Sequence, residues 1–333
     1  MPAVDIRRDD SPSRGAQISC DVFRERPFRF GVTCEFVADR DEWRAFGQRI
    51  ENRGYSSLLV SDHLGDQLAL MPALAAAVDA TTSLRIGALV ACNDFRHPVM
   101  HAKELASLDV LANGRIDWGI GAGWLASEYE MAGLTFDRPG VRVDRLIEAV
   151  AVMKRCFADE PFTFEGSHYR VRGLNGTPKP RQRPHPPLLI AAASKRLLSF
   201  AAREADMIGI APSISARQVG ERAPTQSVEA AVDEQLAWIQ AAGEGRGGDI
   251  ELNMVAYPLA VTDDAAGAAA RIGPAVGLSP EEALRAPHIW IGSPGEIVES
   301  LERHRERWGV SYWAVPADAI DRVAPVIEQL AGR

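Results

Sequence analysis

The sequence predicts an α/β fold, a (β/α)8 barrel. Short apolar runs of strand length alternate with segments whose apolar residues recur at helical spacing, and the alternation yields eight strands. The strand runs are apolar almost throughout, as in parallel strands covered by helices. A chain of 333 residues suits either one large barrel or two smaller domains. Two domains need a linker near the middle, and only residues 158–187 qualify. That stretch reads as a hairpin (PFTFEGSHYRV, residues 161–171) followed by a Pro-rich crossing. It is therefore an insertion between the fourth and fifth barrel units.

Residues 1–26 are polar, charged and without apolar periodicity, which predicts a disordered tail ahead of a single domain over 27–333. Residues 28–34 (FRFGVTC) form the first strand. A helix follows over 39–52, with Trp43, Phe46 and Ile50 on one face and Gly54 as its stop. Strand 57–61, the Ala-rich helix 69–80 and strand 84–91 come next. Helix 98–111 opens on Pro98 and ends before Gly114. Strand 115–121 and the long helix 140–157 complete the first half. The second half continues with strands 187–191, 207–210, 251–258 and 310–315, and with helices 195–204, 228–242 and 294–308.

Composition excludes several classes. Hydrophobic residues at 46% and charged ones at 25% are a globular balance, not that of a disordered or collagen-like chain. The net charge of −8 argues against a general nucleic-acid binder. No window approaches the roughly 18 apolar residues of a membrane helix, and the N-terminus lacks the apolar core of a signal peptide. Cys20, Cys34, Cys92 and Cys156 stand far apart, so they read as reduced thiols of a cytoplasmic protein.

In such barrels the chemistry gathers at the C-terminal strand ends. Two of those windows are informative. Ser61-Asp62-His63 puts an acid and an imidazole after strand 2. GIGAGW (residues 119–124) ends strand 4 with three glycines, then Ser127 and Glu128. Glycines there let backbone approach a flat ligand, which places Gly123 and Ser127 on the cofactor side. Each window has a plain structural alternative: a hydrogen-bonded Asp-His pair, and a sharp turn. The glycines also lack the acidic partner of a dinucleotide fingerprint. With seven histidines and no HxH at a strand end, a metal site is not indicated. His97, His101, His185 and His304 read as surface or interface groups, and Glu128 as a structural partner of Arg115 or of a backbone N–H.

Taken together, the chain resembles the luciferase-like monooxygenase superfamily, and within it the branch that uses the deazaflavin coenzyme F420. The resemblance rests on the SDH motif and on RHPVMHAKELASLDVLANGRIDWGIGAGWLASEYEMAG (residues 96–133). It extends through RVDRLIEAV (142–150), FEGSHYRV (164–171), KPRQRPHPPLLIAAASKRLLSFAAREADM (179–207) and IGSPGEIVESLERHRERWGV (291–310). It implies a luciferase-like barrel with insertions, commonly a homodimer, with the cofactor ring at the C-terminal mouth.

The resemblance further implies roles for individual residues. His63 lies beside the ring and is the candidate proton donor. Asp62 contacts the cofactor, and Asn93 supplies a polar contact beyond a bulge in strand 3. That bulge carries a non-prolyl cis peptide near Ala88 and Leu89. Ala192, Ala193 and Ser194 enter a helix at the phosphate-binding segment, where free N–H groups favour an anion. Glu35 is a mouth-facing acid and candidate catalytic group. Trp124 stands where the sugar-phosphate dehydrogenase subgroup has a glutamate, and Gln67 where it has a tryptophan. Both therefore belong to the substrate pocket, and a glucose 6-phosphate substrate is disfavoured. The implied activity is F420-dependent hydride transfer to or from a small organic substrate. The alternatives are an FMN-dependent monooxygenase fed by a separate reductase, and a barrel that binds flavin without turnover. Residues 212–225 and 273–288, rich in Ser, Pro and Gly, are the expected lid.

Overall fold

The computed structural model describes residues 23–211 and 228–333. Eight strands form the barrel: β1 (Arg29–Cys34), β2 (Ser57–Val60), β3 (Arg85–Ala88), β4 (Ile116–Gly121), β5 (Leu188–Ala192), β6 (Met207–Ile210), β7 (Glu251–Val255) and β8 (Val310–Pro316). All pair in parallel, in the order β3-β2-β1-β8-β7-β6-β5-β4. Ile86↔Ile116 and Gly87↔Asp117 join β3 to β4 and close the ring.

The helices α1 (Arg40–Asn52), α2 (Leu70–Ala80), α3 (Pro98–Leu111), α4 (Pro139–Phe157), α5 (Lys195–Glu204), α6 (Val228–Ala242) and α7 (Pro294–Trp308) cover the strands. Local chemistry sets their ends. Asp39 caps α1 in a reciprocal box with Glu42, and Ser293 does the same for α7 with Glu296. The predicted insertion is an antiparallel hairpin, Phe162–Glu165 with Arg170–Leu174. The sequence reading did not resolve the helices Ala126–Ala132, Ala265–Ala275 and Pro280–Arg285, or the short parallel pair Leu259–Val261 and Trp290–Gly292.

Residues alternate in and out along each strand. Phe30, Val32, Leu58, Ile86, Trp118, Ile120, Ile190 and Trp313 belong to the large core that packs strands on helices. A second cluster of Leu59, Leu189, Met207, Tyr312 and Ala314 fills the barrel itself. The strands are thus not uniformly apolar. At the N-terminal end of the barrel the polar side chains pair with one another. Arg29 donates to both Glu251 oxygens at 2.7 Å and lies 3.6 Å over the Tyr312 ring. Ser57 and Tyr312 hydroxyls meet at 2.6 Å, and Arg85 binds Asp117. A shallow depression outside this floor is lined in part by Arg26, Arg29 and Glu251. Its charged groups are already engaged, Arg26 by the Gly248 and Asp249 carbonyls.

Of the expected tail, residues 1–22 lie outside the described residues. Of its last four residues, Phe23 and Arg26 pack on the barrel, and Arg24 and Glu25 are exposed. Phe23 is buried against Gly309, whose φ of +74° closes α7. Of the expected lid, 212–225 lies outside the described residues. In 273–288 Leu278, Ala283 and Ala286 build a small apolar cluster with Ile289.

Candidate active site

The strand-3 end is irregular where the resemblance implied, one bond further on. β3 stops at Ala88, the Leu89–Val90 peptide is cis, and Ala91–Cys92 then resumes pairing with β4. The expected position was near Ala88–Leu89, so the bond is shifted by one residue. Leu89 and Val90 are half-buried and pack with Ala191 and Val255 against the interior cluster, which gives the mouth an apolar floor.

The strand-4 glycines exist for this bulge. A Cβ on Gly119 would lie 1.8 Å from the Ala88 carbonyl, and one on Gly121 would lie 2.7 Å from Val90 Cγ2. Gly123, at φ +76°, would meet the Tyr129 hydroxyl at 1.9 Å. These glycines let β4 approach the bulge and the Ala126–Ala132 helix.

His63 follows β2 and is partly exposed. Its Nδ1 lies 3.1 and 3.0 Å from the two Glu128 oxygens, and the Leu64 N–H donates to Glu128 Oε1 at 2.8 Å. Glu128 is buried at the start of the Ala126–Ala132 helix, so its carboxylate reaches across from β4 to β2. Of the two partners expected for Glu128, the backbone N–H is present, from Leu64, and Arg115 is not. Arg115 donates instead to Thr81 and to the Leu84, Val78 and Ala112 carbonyls. A carboxylate only accepts, so His63 Nδ1 carries the hydrogen, and Nε2 is the nitrogen left for other chemistry. Trp124 meets the His63 ring edge-on, 6.0 Å between centroids.

Asp62 is buried. It accepts from the Cys92 N–H at 2.9 Å and from Arg96 at 2.5 and 3.2 Å. Its carboxylate ties the bulge to the β2 turn. Asn93 is likewise 2% exposed and donates to Asp94 and to Tyr169 of the hairpin. Asp94 also takes bonds from Tyr129 and Arg145. The Asp62 carboxylate and the Asn93 amide nitrogen are thus both engaged within the protein. Burial pushes the Cys92 thiol above its ordinary range. Gln67 is half-buried and exchanges hydrogen bonds with Ser61 at 2.7 and 2.8 Å, so it braces its own turn.

Across the mouth, Ala192 is buried and Ala193 is half-buried. Ser194 precedes α5 and is exposed, with a side chain that makes no cap bond to the helix. Its hydroxyl and the first α5 N–H groups are suited to an anion. Glu35 and Ser127 are exposed. Among the histidines expected at the surface, only His97 is exposed. His101 is buried, and burial with the nearby Arg96 pulls it down to about 3. His185 packs edge-on to Trp118, and His304 stacks on Trp308.

The profile described as Luciferase-like monooxygenase matches residues 28–322. The chain belongs to the luciferase-like monooxygenase family. An F420-dependent glucose-6-phosphate dehydrogenase of Microbacterium testaceum is 31% identical, over 54% of this chain and 55% of its own. An FMNH2-dependent dimethylsulfone monooxygenase of Pseudomonas putida is 26% identical, over 53% of this chain and 51% of its own. The chain thus spans about half the length of these curated relatives. The coenzyme F420 dependent tetrahydromethanopterin reductase of Methanopyrus kandleri superposes with a TM-score of 0.73 at 16% identity. That match covers 92% of this chain and 99% of the other, and it shows the barrel shared across the family.

What sequence reasoning missed in this family member is the Glu128–His63 bond. Glu128 stands in the first turn of a short helix, seven residues after the β4 end. Only the closed barrel shows that this position faces the β2 turn.

Proposed function

We propose that the chain is a coenzyme F420-dependent oxidoreductase that moves a hydride between the deazaflavin and a small organic substrate. The observation that carries this reading is His63 at the mouth, fixed through Nδ1 by a buried carboxylate, with Nε2 free for proton exchange. The relatives named F420-dependent dehydrogenases support it. The donor set fits such a cofactor. Leu89, Val90, Ala191 and Val255 offer an apolar floor for a flat ring, and Ser194 with the α5 N-terminus offers neutral donors for an anionic tail. Bound there, a deazaflavin supplies the hydride donor or acceptor.

The chain's own residues do the rest. When the substrate carbon loses a hydride, the unprotonated His63 Nε2 takes the proton from the substrate hydroxyl, and in the reverse direction the imidazolium, protonated on both nitrogens, returns that proton to the substrate oxygen. Glu128 keeps the imidazole in one tautomer and orientation. Glu35, exposed after β1, is the second candidate acid. The exposed Met100, Val110 and Leu111 on α3 support a homodimer.

Titration with F420 and with FMN tests the reading. Tight binding of F420 alone, with His63→Ala binding it equally but turning over at least about 100-fold more slowly, is the expected result. Tight binding of FMN alone, with oxygen consumed once it is reduced, replaces this reading with a monooxygenase, as in the dimethylsulfone relative.

A further inference from the structure

The large apolar side chains left exposed are not scattered evenly. Four of them leave the C-terminal ends of barrel strands: Val37 after β1 (57% exposed), Leu64 after β2 (49%), Trp124 after β4 (63%) and Tyr257 after β7 (68%). These turns surround the mouth in which His63 stands. Trp124 already touches the His63 ring, and Leu64 is held beside it by its N–H bond to Glu128. The Leu68 N–H bond to the Phe36 carbonyl ties the β1 turn to the β2 turn.

Charge on the same turns points the same way. The segments 35–39, 61–69, 122–125 and 256–258 contain no lysine or arginine, but they do hold Glu35, Asp39, Asp62 and Asp66. On the neighbouring β3 turn, the cation Arg96 is committed to Asp62. Behind it, Arg145 is committed to Asp94 and Asp137. A phosphate or carboxylate at this side of the mouth would meet acids and no free cation among these residues. An apolar body would cover tryptophan, tyrosine, leucine and valine surface that otherwise faces water.

We propose that the substrate that reacts beside His63 is an uncharged, predominantly apolar molecule, seated on Trp124 and Leu64, and not a sugar phosphate. This rests on the oxidoreductase reading above and names its substrate class. Trp124 supplies the broadest apolar surface and so most of the affinity. Leu64 and Tyr257 exclude water around it.

Isothermal titration of the full chain, alone and saturated with F420, tests the assignment with two probes. Benzylacetone is a neutral ketone with an apolar body, and glucose 6-phosphate is the anionic alternative. Benzylacetone is expected to bind in both states, and Trp124→Gln to weaken it by about tenfold or more. Trp124 is exposed, so the variant keeps its circular dichroism spectrum. Leu64→Ser gives a smaller loss at the same site. Glucose 6-phosphate is expected to bind no better than glucose and not to displace benzylacetone. Preferential binding of glucose 6-phosphate, or benzylacetone affinity unchanged in Trp124→Gln, overturns the proposal. A chain that takes benzylacetone through Trp124 but binds no F420 keeps the apolar site and overturns the cofactor reading instead.

Discussion

Glu128 binds both the imidazole Nδ1 of His63 and the backbone N–H of Leu64, so one buried carboxylate from the β4 side fixes a residue and the turn that carries it on the β2 side. Glu128→Gln keeps the size but loses the charge, and one amide group must now donate where the carboxylate accepted. We expect kcat to fall by about tenfold to 100-fold with KM little changed, and the unfolding midpoint to move little. Glu128→Ala should cost more turnover, and Glu128→Gln should recover part of it. Equal turnover in all three forms would remove Glu128 from the mechanism.

Gly119 lies against the Ala88 carbonyl, and the colliding atom is backbone, which has no rotamer to escape into. Gly119→Ala is expected to destabilise by at least about 2 kcal/mol, read as a lowered urea midpoint. Gly65→Ala is the control, since nothing stands within 4 Å of a Cβ there. A loss equal in both would show that the close approach is not what matters.

Glu251→Gln leaves the Arg29 guanidinium at the barrel floor without its counter-charge. Removing one partner of such a pair costs about 3 kcal/mol. Floor and mouth lie at opposite strand ends, so F420 affinity is expected to be unchanged once the variant is folded. Calorimetric melting and cofactor titration on the same preparation check both halves of the claim.

Acid sensitivity is expected from two histidines held neutral in the fold. Burial pulls His101 down to about 3 and His304 to about 4, helped by neighbouring arginines. Each therefore binds a proton more readily when unfolded. The stability they lend is fully present above about pH 6.5 and is lost as pH falls toward those values, by no more than about 1.4 kcal/mol per pH unit and group. His304→Phe keeps a ring on Trp308 and should flatten the melting temperature between pH 6.5 and 4. An unchanged slope would exclude His304.

The barrel was legible because periodicity and turn residues are local. The strands at 28–34, 57–61 and 115–121 and the helices between them follow from the spacing of apolar side chains, and the hairpin from its flanking polar turn. His63 and Trp124 were legible because strand ends are mouth positions in any such barrel. The floor was missed because the strands read as apolar throughout, although Arg29, Arg85, Asp117 and Glu251 stand at alternate, inward positions. Asp62, Asn93 and Gln67 are expected at ligands through the family resemblance, which carries no information on their partners within the chain. The fold shows each one hydrogen-bonded to a neighbour 30 or more residues away or within its own turn.

Paired charges and the stacked Tyr312 ring shut the N-terminal end, so the molecule is a cup and not a tube. Among the described residues, one doorway serves every ligand. Whatever seats deepest has to enter first, and a product leaves past the same rim that admitted its precursor. Steady-state kinetics should therefore be ordered, with the cofactor binding first and leaving last, so that the spent cofactor inhibits competitively against the incoming cofactor alone.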